Sequence, residues 1–245
     1  MPAAGPPVFL VPPGDLRAGV VLLTGPEGHH AAAVRRLRAG ERADLSDGAG
    51  ILAAGVVTGV GKDSVTLEIQ VVHAVQEPEP RLAVAQALPK GDRGELAVEL
   101  MTEVGVDVVI PWAAARSITK WQAERGAKAL GKWRATAREA AKQSRRAWLP
   151  EVTELASTNV LAKRVTTAYS IVLEADAPAK LHELPLPESG EILLLVGPEG
   201  GISPAERDSL REAGAVEARL GPTVLRTSTA GAAAAAILLS RVGRW

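Results

Sequence analysis

From Arg81 onward the chain alternates short, almost purely apolar runs with stretches of helical spacing. The runs Leu82 to Leu88, Val106 to Ile110, Ala168 to Glu174, Ile192 to Val196 and Val216 to Leu220 each have the length of a buried strand. Pro111 is read as closing the second of them. Between the runs, the pattern predicts a helix capped by Asp92 and reaching about Val104, one over roughly Ala127 to Trp148, and a last one from about Ser228 to Val242. Strands alternating with helices predict an α/β domain with a mainly parallel sheet. The first 75 residues read differently. Val8 to Val11, Val20 to Leu23, Arg42 to Leu45, Ile51 to Val60 and Ser64 to Val72 are short strands between turns, with one helix over Gly28 to Leu37. That predicts a small β-barrel. Gln76-Glu77-Pro78-Glu79-Pro80 reads as a linker, so the expected domains are residues 1–75 and 81–245.

Composition narrows the class. The 245 residues are 47% hydrophobic and 23% charged, as in a folded chain that buries a core. No apolar run approaches the roughly 20 residues that span a bilayer, and Met1 to Pro7 lacks the regions of a secretory leader. There is no cysteine, and His29, His30, His73 and His182 show no zinc-type spacing. Neither a disulfide nor a metal site is expected, and the cytoplasm is the expected compartment.

A formal net charge of zero argues against indiscriminate nucleic-acid binding, but the charge is unevenly spread. Ten basic residues lie between Arg116 and Trp148, opposed only by Glu124 and Glu139. On the expected helix, Lys128, Lys132, Arg134, Arg138, Lys142, Arg145 and Arg146 fall within an arc of about 160°, with Leu130, Trp133 and Ala137 opposite. A mixed-charge face is usually just solvated; one nearly free of acids favours a phosphate backbone.

Two stretches carry candidate chemistry. In Leu193 to Pro204 a strand ends in Gly197-Pro198-Glu199-Gly200-Gly201 and feeds a helix opened by Ser203, Pro204 and Glu206, a capping box, with Gly214 as its stop. Such a turn lets backbone approach a ligand closely, although an ordinary strand-to-helix connection has the same pattern. The similar Thr24 to Gly28 lacks the second glycine and a capping box. The other stretch, Leu220-Gly221-Pro222-Thr223-Val224-Leu225-Arg226-Thr227-Ser228-Thr229-Ala230, places a Gly-Pro turn, a lone arginine and capping hydroxyls before a helix of small residues.

Together, Gly-Pro-Glu-Gly-Gly at 197–201 and Leu-Gly-Pro-x-Val-Leu-Arg-Thr at 220–227 resemble the RsmE family of ribosomal RNA methyltransferases, within the SPOUT superfamily. Lys90-Gly91, Thr102 to Val106, Arg116-Ser117, Glu139-Ala140 and Gln143-Ser144-x-Arg146 are similar too, and the N-terminal region resembles that family's PUA-like barrel. The resemblance implies an α/β SPOUT domain with a C-terminal trefoil knot, a homodimer, and S-adenosylmethionine as cofactor. It also implies N3-methylation of a uridine in 16S ribosomal RNA, free or within the small subunit. Carried across, the cofactor cradle is Leu195, Val196, Gly197, Pro198, Gly200 and Gly201 with Leu220, Gly221, Val224, Leu225, Thr227 and Ala230, and Leu173 beside it. Lys90, Arg116, Arg138, Lys142, Arg145 and Arg146 are the expected RNA contacts. Arg226 is the expected charge stabiliser and Glu199 the expected proton acceptor. Two departures stand out: Ser228 replaces a glutamate common in the family, and Pro7-Val8 precedes Phe9 where an arginine is usual. A SPOUT enzyme for ribose or transfer RNA, or a non-catalytic RNA binder of the same fold, are the alternatives.

Overall fold

A computed structural model describes residues 5–245. Residues 1–4, which begin the N-terminal stretch read above for a leader, lie outside the described residues. Two compact units result: the chain up to Glu77 together with Ala141–Leu149, and Pro78–Ala140 together with Pro150–Trp245.

In the first unit, β1 (Val8–Leu10), β2 (Gly19–Leu23), β3 (Arg42–Ser46), β4 (Ile51–Val60) and β5 (Val65–Ala74) form one sheet in the order β1-β3-β4-β5-β2. β1 runs parallel to β3 and the other pairings are antiparallel. Ala53, Val57, Leu67 and Ile69 point inward at strand periodicity and close on Phe9, Leu23 and Leu45. The helix begins earlier than expected, as α1 (Gly25–His29) continued by a wide turn over His30–Val34. Thr24 to Gly28 thus serves as a helix start.

The second unit is a six-stranded sheet of β6 (Arg81–Ala87), β7 (Val108–Trp112), β8 (Glu151–Val152), β9 (Tyr169–Leu173), β10 (Glu191–Val196) and β11 (Val216–Ala218). The order is β11-β9-β10-β6-β7-β8, with every pairing parallel. Both faces are covered, which is why the strands read as unbroken apolar runs. Leu82, Val84, Ile192, Leu194 and Val196 face α2 (Arg93–Val104), α3 (Ala123–Gln143) and α6 (Thr227–Arg241). Ala83, Ala85, Ile110, Leu193 and Leu195 face α4 (Thr158–Val165) and α5 (Pro204–Glu212). Leu130, Trp133 and Ala137 of α3 are buried at 6%, 3% and 2% exposure, as their spacing predicts.

Two expectations need correction, and two elements were not expected at all. Pro111 lies inside β7: its carbonyl accepts Ala156 N–H at 2.8 Å beyond the end of short β8, so its missing N–H breaks no central ladder. β8 and α4 were not legible as elements, because α4 buries only Leu161 and Val165. The basic helix stops at Gln143, not Trp148. Arg145 takes a left-handed φ of 59°, and Arg146 N–H returns to the Ala141 carbonyl at 2.9 Å. This is a helix-ending motif that normally uses glycine.

Two buried carboxylates tie the second unit together. Arg244, just past α6, donates to both oxygens of Asp107, at 2.7 and 3.0 Å, and to the carbonyls of Pro80 and Gly105. Asp107 also accepts Leu82 N–H at 2.8 Å, so the chain terminus is clamped to the start of two strands. Glu206, 8% exposed, completes the capping box with Ser203. It also accepts Ala115 N–H at 2.9 Å and the Thr158 hydroxyl at 2.8 Å, and Thr158 in turn receives the Trp112 indole N–H at 3.1 Å. Burial alone raises this carboxyl, but the hydrogen bonds from Ser203, Ala115 and Thr158 outweigh it and hold it below the usual value.

Arg244→Ala strands the Asp107 carboxylate in the interior, with an expected loss of about 3 kcal/mol in urea unfolding; a loss within the range of ordinary surface substitutions contradicts the clamp. Because Glu206 is more acidic folded than unfolded, it stabilises above the unfolded value, and that stability drains as pH falls through 4.5 and below. Glu206→Gln is therefore expected to be less stable than wild type at neutral pH, with the gap narrowing in acid. A gap that stays constant from pH 7 to 3 refutes it.

Candidate functional site

A cavity of about 400 Å³ opens at the carboxyl ends of β9, β10 and β11, where parallel α/β sheets place their ligands. The two glycine-rich stretches, far apart in sequence, form its walls. Val196, Gly197, Pro198, Glu199 and Gly201 supply one; Leu220, Gly221, Val224, Leu225, Arg226, Thr227 and Ala230 supply the other, with Leu173 at the end of β9 beside them. Arg93, Glu174, Ala175, Ile202 and Thr223 also line it; Ile202 and Thr223 belong to the two stretches singled out above, while Arg93, Glu174 and Ala175 were not expected. Glu174 had a faint signal, as the first charge after an apolar strand.

The walls are joined by one hydroxyl. Thr227, at the first turn of α6, donates to the Gly197 carbonyl at 2.5 Å. Its oxygen accepts from the Gln86 amide at 3.2 Å, and that amide also donates to the Ala87 carbonyl at 3.1 Å. Gln86 is fully buried within β6, and its Oε1 has no hydrogen-bond partner; the Ser228 hydroxyl, 1% exposed, is likewise unpartnered. A lone amide in the run Leu82 to Leu88 is the signal that could have marked Gln86. Gly197 is required by packing, since a Cβ there would come within 2.7 Å of Ile202. Gly201 sits at a φ of 71°, which closes the turn ahead of the α5 capping box.

Two cradle residues fall elsewhere. Leu195 is fully buried with its side chain among α4 and α5, because alternation along β10 sends it to the opposite face from Val196. Gly200 lies against Arg116: its carbonyl accepts from the Arg116 guanidinium at 3.1 Å, outside the cavity lining.

The charged groups divide by role. Glu199 accepts Lys90 N–H at 3.1 Å, fastening the loop after β6 to the rim of the cavity. The Arg226 side chain lines the cavity and has no ion-pair or hydrogen-bond partner among the described residues. Burial pushes the Glu174 carboxyl above its usual value, opposed by Arg207 at 3.9 Å. The described residues contain no cluster able to hold a metal ion, and no helix among them is long and apolar enough to cross a membrane.

Among the expected RNA contacts, Lys90, Arg116 and Arg138 are exposed. Lys142 is not: its side chain is 7% exposed and its ammonium pairs with Glu27 at 3.0 Å. Arg145 and Arg146 follow the end of α3 and leave its cationic stripe. Arg145 donates to the Pro6 carbonyl and lies 4.0 Å from Asp44, and Arg146 is half-buried. Helical periodicity placed Arg145 and Arg146 on a face that ends before them, whereas Lys142 stays on the helix and is buried by its pairing with Glu27.

The family described as RNA methyltransferase domain matches residues 76–239, and the RNA methyltransferase PUA domain matches residues 23–70. The ribosomal RNA small subunit methyltransferase E of Mycobacterium bovis is 44% identical over 92% of this chain and 88% of its own. That of Bacillus subtilis is 33% identical over 85% of each chain. The Neisseria gonorrhoeae protein of that name, in a crystal structure bound to S-adenosyl methionine, superposes with a TM-score of 0.85 at 28% identity, covering 97% of this chain and 98% of that one. With matches that span both units and nearly the whole length, the chain belongs to the family of ribosomal RNA small subunit methyltransferases E.

Proposed function

We propose that this chain methylates N3 of a uridine in small-subunit (16S) ribosomal RNA, with S-adenosylmethionine held in the cavity between the two glycine-rich walls. It does so as a cytoplasmic homodimer in which the loops around the cavity are threaded as a trefoil knot. The observation that carries the reading is the convergence of residues 196–201 and 220–230 on one cavity with an unpaired arginine at its rim.

The donor set fits that cofactor. Leu173, Val196, Leu220 and Leu225 offer apolar walls for a purine ring, and glycines at 197 and 221 let the backbone come close. Glu174 offers an acceptor for hydroxyl or ammonium groups. Bound there, S-adenosylmethionine supplies an electrophilic methyl group. Uracil N3 carries a proton at neutral pH, so the protein has to accept a proton and spread negative charge. Glu199 is the proton acceptor: one oxygen is held by Lys90 N–H, and the other has no partner among the described residues. Arg226, free of other partners, stabilises the charge that builds on the uracil carbonyls. Lys90, Arg116, Arg138 and the exposed cations of α3 hold the RNA backbone.

Nucleoside analysis of small-subunit RNA from a strain lacking the gene is expected to show loss of 3-methyluridine, restored by the wild-type gene. Retention of that nucleoside, or loss of a ribose-methylated one in its place, overturns the reaction assigned. Arg226→Ala is expected to lower single-turnover methylation by roughly 10²-fold, the scale of one lost charge-stabilising donor, with little change in cofactor affinity. Full turnover in that variant removes Arg226 from the chemistry. Thr227→Val leaves the Gly197 carbonyl without its donor and takes one of the two acceptors from the Gln86 amide, so calorimetry is expected to show cofactor binding weakened by about 1–3 kcal/mol. Unchanged affinity means the hydroxyl does not set the cradle.

A further inference from the structure

A second cavity, of about 500 Å³, lies between the start of α2, the loop before α3 and the first turns of α3. One wall is aromatic. Trp121 is half-buried and stands edge-on to Trp133, with ring centroids 5.0 Å apart and planes at 79°. Trp133 is itself fixed by lying over Gly94, where a Cβ would come within 2.7 Å of the indole. The rest of the rim is charged, and the signs are segregated. Arg125, Lys128 and Lys132 stand on α3, while Asp92 and Glu95 stand on the α2 side. Only Lys132 is near a carboxylate, 3.9 Å from Glu95; Arg125 and Lys128 have no ion partner among the described residues.

This cavity and the cofactor cavity share a wall. Gly91, Asp92 and Gly94 face the second, Arg93 faces the first, and Lys90 N–H is bonded to Glu199 across the rim. Thr119 donates to the Pro89 carbonyl at 2.7 Å and so pins the same loop from the α3 side.

We propose that this groove is a subsite for an unpaired nucleotide of the substrate RNA next to the one that is methylated, its base stacked on Trp121 and its phosphates along Arg125 and Lys128. The proposal rests on the RNA methyltransferase reading above. Its chemistry follows from the lining. A polyanion alone is poorly matched, since Asp92 and Glu95 repel it. A nucleotide combines a phosphate for the α3 cations, a flat face for the indole, and N–H and 2′-hydroxyl donors for the two carboxylates. A base inside a duplex cannot reach Trp121, so the ligand is single-stranded.

The test uses the full chain, a labelled single-stranded fragment of small-subunit ribosomal RNA containing the methylated uridine, and the same fragment annealed to its complement. Trp121→Ala is expected to weaken single-strand binding roughly tenfold or more, and Trp121→Phe to recover most of it. Arg125→Glu with Lys128→Glu, a pair of exposed side chains, is expected to raise the RNA KM and flatten its salt dependence while kcat and S-adenosylmethionine affinity hold. If wild type methylates the fragment and the double variant keeps wild-type RNA affinity, the subsite is wrong while the methyltransferase reading stands. An equal loss against single strand and duplex also overturns the subsite. If wild type neither binds nor methylates ribosomal RNA, both readings fall together.

Discussion

The site depends on a constraint that the sheet alone cannot meet: two loops from separate strands have to be held edge to edge although no strand pairing joins them. The Thr227 hydroxyl meets it by acting as donor to Gly197 and acceptor from Gln86 in the same place. A buried hydroxyl satisfied on both sides fixes position far better than apolar contact, because any displacement strands a polar group in the interior. Gln86 is the other half of the device. It occupies a fully buried position where every other strand residue of β6 past Arg81 is alanine, leucine or valine, and it leaves Oε1 without a partner. A local rule broken inside an otherwise consistent strand marks function. The small residues of α6 serve the same end, since Gly231 lies where a Cβ would meet Met101 at 3.0 Å and the Gln86 oxygen at 3.4 Å.

Much of this was legible in the sequence, for physical reasons. Parallel strands covered on both faces cannot hide their apolar runs, and the capping box at Ser203 and Glu206 is a local signal read without tertiary knowledge. The two glycine-rich stretches were legible as candidate chemistry because glycines let the backbone bend and come close, whereas their union in one cradle came from the family resemblance; Gly197 has no room for a side chain. What stayed illegible was set by tertiary context. Leu195 and Val196 are chemically alike, and only the pleat decides which of them faces the cavity. Lys142 reads as a member of a cationic stripe until the fold brings Glu27 to 3.0 Å and buries both. Arg145 ends a helix in a conformation that glycine usually takes, so no residue type announced the stop. Short α4, with two buried residues and a Ser157 cap, is stabilised by packing more than by its own pattern.

The loss of Lys142, Arg145 and Arg146 from the stripe changes where positive charge is concentrated. The exposed cations that remain on α3 are Arg125, Lys128, Lys132, Arg134 and Arg138, spread along the helix, with the first three beside Trp121 and the loop that follows β6. Charge paired within the protein contributes little to a polyanion's binding, whereas charge that releases counterions contributes directly. Counting basic residues over the segment therefore overstates how many exposed cations the helix carries.

Glu199 links the two cavities. Its carboxylate lines the first, yet its hydrogen bond goes to Lys90, whose loop walls the second. A carboxylate free in solvent samples many rotamers and is a poor proton acceptor for a fixed partner; one oxygen tied to a backbone N–H leaves the other aimed. The same bond orders the loop between Pro89 and Asp92, which is also held by Thr119 and presents Lys90 to solvent. In the proposed mechanism, positioning a base for proton transfer and positioning a loop for RNA draw on this single interaction. On that mechanism, a side chain that lacked the second oxygen would hold the loop without taking the proton.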